Sequence, residues 1–337
     1  MRVRIEDVAA AAGVSMKTVS RVLNHEPGVR ESTRARVREK MTALGYRPDP
    51  SARSLASNRS YLLALVYDNP SPNYLMEIVT GVVEACEQHH YGMVMQPLAF
   101  ASPDLPGQVE SIVQASRLEG LILTPPLTDS APLLERLDAL GVPFSCISPR
   151  DPQGRTGVTL DEHEAVCELI GRLIADGHRR IAHVRGHPDH GASQWRLAGY
   201  RSALRRAGLR HDPALVVQGE FSFDSGLAAG HRLLDLRAPP TAIFAANDDM
   251  AAGVMRAAAE RGLRVPRDLS VCGFDDTPIS RQIFPRLTTV QQPAREMGQV
   301  ATMRLLAALR ERGAGRMVQM SYTLQLRQST GPAPAGA

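Results

Sequence analysis

The chain has 337 residues, 43% of them apolar, which allows two or three domains and excludes wholesale disorder. No apolar run reaches the ~18 residues of a membrane span, and MRVRIEDVAAAAG at residues 1–13 has acidic residues where a secretory leader has its apolar core, so a cytoplasmic protein is expected. Residues 1–60 hold 12 Lys/Arg against 6 Asp/Glu while the other 277 hold 27 against 29, so a polyanion is expected at one end of a near-neutral body.

The first 45 residues read as three short helices. Ile5, Val8, Ala9 and Ala12 recur at i, i+3, i+4, i+7 and make one apolar helical face. Gly13 breaks that helix, and Ser15 is suited to cap the next, whose stripe is Val19, Val22 and Leu23. NHEPG at 24–28 reads as a loop. Val37, Met41 and Leu44 mark a third helix closed by Gly45. YRPDPS at 46–51 is a Pro-rich linker, and SARSLAS at 51–57 is compatible with a short helix too small to stand alone.

From Tyr61 the pattern changes. Apolar runs LLALVY (62–67), GLILT (120–124), RIAHV (180–184), TAIFAA (241–246) and LSVCGF (269–274) alternate with helical stretches at 75–89, 162–175, 194–207, 248–261 and 294–311. Strand followed by helix, repeated, predicts parallel sheets with buried strands, and about 270 residues exceed one comfortable core. The expected class is α/β: an all-α headpiece followed by two Rossmann-like lobes. Cys86, Cys146, Cys167 and Cys272 form no CxxC pair, so reduced, buried thiols are expected. GPAPAGA at 331–337 is expected to fray.

Helix, Gly-containing turn, helix is the helix-turn-helix plan, whose second helix reads base edges in the major groove. With the valines inward, Met16, Lys17, Ser20, Arg21 and Asn24 face out. Lys17 and Arg21 can donate to guanine and Met16 can pack on a thymine methyl. Ser15, Thr18, Ser20 and Asn24 suit phosphate oxygens, which position without specifying.

DVA (7–9), AGVS (12–15), TVSRVLN (18–24), Thr33 with Arg34, and LGYRP (44–48) together resemble the LacI/GalR transcriptional regulators. The resemblance continues through GHRRIAHV (177–184), RLAGY (196–200), PTAIFAAND (240–248), DLSVCGFDD (268–276) and LTTV (287–290), and covers residues about 4–330. Arg4 and Arg30 depart from the family's hydroxyl caps on the first and third helices. An Arg cannot accept a backbone N–H, so both caps are expected to be weakened; Arg30 is read as reaching a phosphate, with simple drift as the alternative. The resemblance implies that residues 47–60 hold a hinge helix ordered on operator DNA, with Leu55 wedged into a minor-groove base step, Ala52 packing beside it and Arg53 near the backbone.

For the body, the resemblance implies a periplasmic-binding-protein fold with a small-molecule cleft. Arg196, Asn247 and Asp275 are expected to clamp ligand hydroxyls, Phe221 to stack on the ligand, and Tyr74 and Gln292 to contribute from the other lobe and a crossover. Asp248 and Asp276 are expected to cap helices or hold backbone. Ser148 stands where many members carry Asp, with Arg150 and Asp151 the nearby substitutes. GHPDHG (186–191), with His178 and His183, is read as a polar rim loop rather than a metal site. No cofactor is expected. The predicted organisation is a headpiece at 1–46, a linker at 47–60, a body at 61–330 (61–160 with 292–322, and 161–290 with 323–330), and a tail.

No GxSxG, GxGxxG or phosphate loop supports an enzyme. A transport binding protein would share the lobes but not residues 1–60. The expected function is a homodimeric repressor of carbohydrate genes, released from operator DNA by a small sugar-type inducer. A ligand acting as corepressor and a sugar-binding protein without DNA are the alternatives.

Overall fold

The computed structural model describes residues 3–23, 27–46, 59–310 and 316–334. Asn24, Ala52, Arg53, Leu55 and the hinge segment lie outside them. The chain divides into two compact units, Met1–Ser60 and Tyr61–Ala337.

In the first unit α1 (Ile5–Ala12), α2 (Met16–Leu23) and α3 (Glu31–Ala43) close on Val8, Ala9, Ala12, Val19, Val22 and Val37. Burying one such Val contributes roughly 1.5–3 kcal/mol, so this core depends on every member. Gly13 takes φ +61° and lets the chain leave α1 with its last carbonyls satisfied by Gly13 and Val14 N–H. Ser15 Oγ then accepts the Thr18 N–H at 3.2 Å. Neither Arg4 nor Arg30 makes a side-chain cap bond. At α1 the Arg4 N–H instead donates to Asp7 at 2.7 Å, half of a capping box.

The second unit holds two six-stranded sheets. The first contains β1 (Leu62–Tyr67), β2 (Gly92–Pro97), β3 (Gly120–Leu123), β4 (Phe144–Ile147), β5 (Gly157–Leu160) and β11 (Met317–Met320), in the order β11-β5-β4-β3-β1-β2 and all parallel. The second contains β6 (Ile181–Arg185), β7 (Val216–Gln218), β8 (Ala242–Ala245), β9 (Ser270–Asp275), β10 (Thr288–Gln291) and β12 (Thr323–Gln325), in the order β12-β10-β9-β8-β6-β7. Only the β10–β12 pair of that sheet is antiparallel. The chain thus changes sheet after β5, after β10 and after β11.

Helices cover both sheets, as buried parallel strands require. On the first lie α4 (Pro72–Gln88), α5 (Leu105–Ser116), α6 (Ala131–Leu140) and α12 (Ala294–Arg310). On the second lie α7 (Glu162–Ala175), α8 (Gly191–Arg206), α9 (Phe223–Leu234), α10 (Asp248–Glu260) and the short α11 (Ile279–Gln282). α4 and α12 approach so closely that a methyl on Gly81 would lie 1.9 Å from the Arg295 carbonyl oxygen. All four cysteines are buried and free.

One expectation is corrected. The final segment does not fray through residue 333: Gly331 accepts from His178 Nε2 at 3.0 Å, and the Ala333 N–H donates to the Asp176 carbonyl at 2.9 Å. His178 is itself fully buried, with its other ring nitrogen 2.9 Å from Thr241 Oγ1, so it staples the end of the chain to the second lobe. Among the described residues no helix is long and apolar enough to cross a membrane.

Candidate functional site

The outward face of α2 carries Met16, Lys17, Ser20 and Arg21, which fall within about 140° of arc at 3.6 residues per turn. Val19 and Val22 occupy the opposite side and are buried. Met16 is 50% exposed although it is apolar, and Lys17, Arg21 and Ser15 are exposed beside it. Thr18 is half-buried, with its hydroxyl 3.0 Å from that of Ser15. Arg30 is exposed at the start of α3.

In the second unit one cavity, about 40 Å³, lies between the two sheets. Its walls follow from the topology. Asn69 comes after β1, Ser148 after β4, Glu162 after β5, His190 after β6, Asn247 after β8, and Gln292 after β10. Parallel strands send all their carboxyl ends to one edge, so polar residues distant in sequence converge there.

At the centre is Arg196 on α8, 4% exposed. Its Nε donates to Glu162 at 2.7 Å, one terminal nitrogen donates to the Ala246 carbonyl, and the other lies 3.6 Å from Asp275 Oδ1. The guanidinium carbon sits 3.7 Å from the Phe274 ring centroid. Burial works against the Arg196 charge, but Glu162 and Asp275 outweigh it and its pKa is raised. Asp275 accepts from Gln292 Nε2 at 2.6 Å and stands at φ +112°. Burial, stronger here than the nearby Arg196, pushes its carboxyl up to about 7. Tyr74 is buried on the first-lobe side, and its phenol is raised by burial and by the Asp275 and Glu162 carboxylates.

Asn247 is engaged within the protein. Its Oδ1 caps α10 at the Met250 N–H, 3.0 Å away, and its Nδ2 donates to the Phe221 carbonyl at 2.9 Å. It thereby holds Phe221, itself at φ +59°, against the cavity. The Phe221 ring lies over Gly186, where a methyl would come within 2.0 Å of its Cζ. Asp248 takes the Thr277 N–H and the Thr289 hydroxyl and so holds backbone as expected, whereas Asp276 takes the side chains of Ser280 and Arg327.

Two other expectations change. Arg150 and Asp151 do not replace a carboxylate at Ser148, because neither lines the cavity. The Asp151 carboxylate accepts the Gln153 N–H at 3.0 Å, and the Arg150 guanidinium lies 4.0 Å from Asp129. Ser148 does line it, at φ +46°, with its Oγ buried and without a hydrogen-bond partner. Of the histidines, His183 lies away from the cavity, stacked on Phe244 in the second-lobe core. His190 is in the wall, 5.2 Å from the Phe221 ring, and burial holds it neutral, down to about 3. His187 is 3.3 Å from Glu220 at the rim.

Sequence reasoning missed Glu162 and two links across the cleft. Asp129, from the first lobe, accepts the Gly191 N–H of α8 at 3.0 Å and the Arg150 N–H at 2.7 Å. Asp249, from the second, accepts from Ser71 Oγ at 2.7 Å and Asn73 Nδ2 at 3.1 Å. Position just after a strand was a usable signal for Glu162. Among the described residues His163, Glu164 and Cys167 also bring ligand atoms within 4.8 Å of one another. Each already has a protein partner, in Ser202, Arg206 and the Gly199 carbonyl respectively.

Residues 4–49 match the bacterial regulatory proteins of the lacI family, and residues 170–330 match a periplasmic binding protein-like domain. Catabolite control protein A of Priestia megaterium is 34% identical over 98% of this chain and 100% of its own length. A lac repressor dimer bound to operator and the anti-inducer ONPF superposes with TM-score 0.79 at 30% identity, covering 98% of this chain and 100% of that one. The regulator CelR in its cellobiose complex gives TM-score 0.75 at 32% identity, over 97% and 100%. The chain belongs to the lacI family of bacterial regulatory proteins and is a DNA-binding transcription regulator.

Proposed function

We propose that this regulator is a repressor whose operator affinity is set by a small, sugar-type effector in the cleft between its lobes. The observation that supports this best is the buried Arg196–Glu162–Asp275 cluster at the strand ends. It offers fixed donors and acceptors beside an aromatic face, which is what a polyol needs. CelR with cellobiose and a lac repressor on its operator are similar proteins in which these two kinds of partner occur.

A cavity of 40 Å³ holds a water or two, so a sugar re-angles the lobes as it enters. That motion strains the Asp129–Gly191 and Asp249–Ser71 links and carries the first lobe with it. The first lobe is joined in sequence to residues 47–60, whose ordering on DNA is the two-state element that the effector biases. Met16, Lys17 and Arg21 read bases, while Ser15, Thr18, Ser20, Asn24 and Arg30 hold phosphates. Leu55, with Ala52 and Arg53, engages the minor groove. The working form is a cytoplasmic homodimer on a pseudo-palindromic operator, without enzymatic turnover.

The test is a thermal-shift screen of sugars on the full-length protein, with hits carried into operator gel shifts. A hit that weakens operator binding makes the effector an inducer, and one that strengthens it makes it a corepressor. A sugar bound equally well with and without operator would sink the coupling, because linkage must be reciprocal.

A further inference from the structure

The cleft is arranged against negative charge. Helix N-termini are the usual anion seats in a fold of this kind, and those of α7, α8 and α10 beside the cavity are already met by protein groups. The first amide of α8 donates to Asp129 at 3.0 Å. α10 is capped by Asn247 and carries Asp248 and Asp249 in its first turn. α7 is capped by Asp161 and carries Glu162 and Glu164 in its first turn. The one guanidinium in the wall, Arg196, spends its donors on Glu162 and Ala246 and turns the remainder toward Asp275. The described residues lining the cavity include no other Lys or Arg, and His190 is buried and neutral. Above about pH 7, where Asp275 is ionised, two carboxylates against one guanidinium leave the wall with a net negative charge.

We infer that this cleft sorts its effectors by charge, admitting neutral and amine-bearing sugars and rejecting phosphorylated or carboxylated ones, with Glu162 as the residue that sets the sign. This rests on the sugar-effector reading above. An entering anion finds no free cation among the described wall residues and meets two carboxylates in a poorly screened site. An ammonium group finds the Glu162 and Asp275 carboxylates in the wall. Glu162→Gln keeps an acceptor for Arg196 Nε and removes one charge, freeing part of the guanidinium for an anionic guest.

The test titrates the full-length protein with glucose, ribose, cellobiose, glucosamine, glucose 6-phosphate, and the size-matched pair glucuronamide and glucuronate. Binding is followed by calorimetry and by the fluorescence of Trp195, the sole tryptophan, which is one residue from Arg196 and 44% exposed. Measurements are made near pH 8, where Asp275 is ionised. The expected result is that at least one neutral or amino sugar binds and that anionic partners bind on the order of a hundredfold more weakly. That gap should narrow at least about tenfold in Glu162→Gln. Asp129→Ala is the second variant, since it removes the acceptor at the α8 terminus without touching the wall, and it too should narrow the gap. Glucuronate binding more tightly than glucuronamide would overturn the charge inference while leaving a sugar effector in place. A gap unchanged in both variants would overturn the assignment to Glu162 and the sealed terminus. Binding of no probe by any of the three proteins would overturn the sugar-effector reading, and the inference with it.

Discussion

Asp275→Asn should make the protein's stability less sensitive to alkali. Asp275 is 8% exposed, and burial pushes its carboxyl from 3.8 up to about 7 in spite of Arg196 at 3.6 Å. Between those two values the folded state holds a proton that the unfolded state has lost. Stability from this group is therefore complete below the unfolded value and is lost as pH rises through the folded one. Integrating the linkage between about pH 5 and about pH 8 gives a loss of roughly 2.5 kcal/mol. Asp248, also raised well above 3.8 by burial and then by Asp275, acts in the same direction. Asn at 275 still accepts from Gln292 but no longer titrates, and it relieves Asp248 as well. The assay is urea unfolding of both proteins at several pH values across that window. The variant's advantage should grow with pH by a few kcal/mol, whatever its offset at low pH. Parallel stability curves for the two proteins would refute the reasoning.

Three further outcomes are expected. Gly191→Ala places a methyl 2.9 Å from both Asp129 Oδ2 and Arg150 Cβ, so the lobes must separate there. Hydrogen exchange at the start of α8 should then accelerate, and unchanged protection would contradict it. Val19→Ala opens a hole in a six-residue core and should cost roughly 2 kcal/mol, melting residues 3–46 at lower temperature while residues 61–334 melt as before. Identical melting of both units would count against that core. Arg21→Ala should lose about 1–3 kcal/mol of discrimination at one base pair, whereas Arg30→Ser should weaken all sites alike and flatten the salt dependence. An unchanged salt slope for Arg30→Ser would remove Arg30 from the phosphate contacts.

Much of the fold was legible in the sequence because its signals are local. The spacing of Val8, Ala9 and Ala12, Gly13 with its positive φ, and the Ser15 cap define the headpiece within a dozen residues. LLALVY and TAIFAA read as strands because they are buried on both faces and so are apolar throughout. The edges escaped notice for the converse reason. β2 mixes half-buried and exposed residues, and β7 and β12 are three residues long, so none of them leaves a continuous apolar run.

Arg196, Asp275 and Gln292 were identifiable by resemblance, and they do meet around one cavity. The partners that define their chemistry were not identifiable. Glu162 pairs with Arg196 from 34 residues away, Asp129 reaches Gly191 across 62, and Ser71 reaches Asp249 across 178. No periodicity encodes such pairs. The sequence by itself determined the helices, the buried strands and the outward face of α2, since each depends on neighbours within a few residues. Only the tertiary structure decided the charge of the cleft and the links that close it, because those arise where two lobes bring the ends of distant strands together.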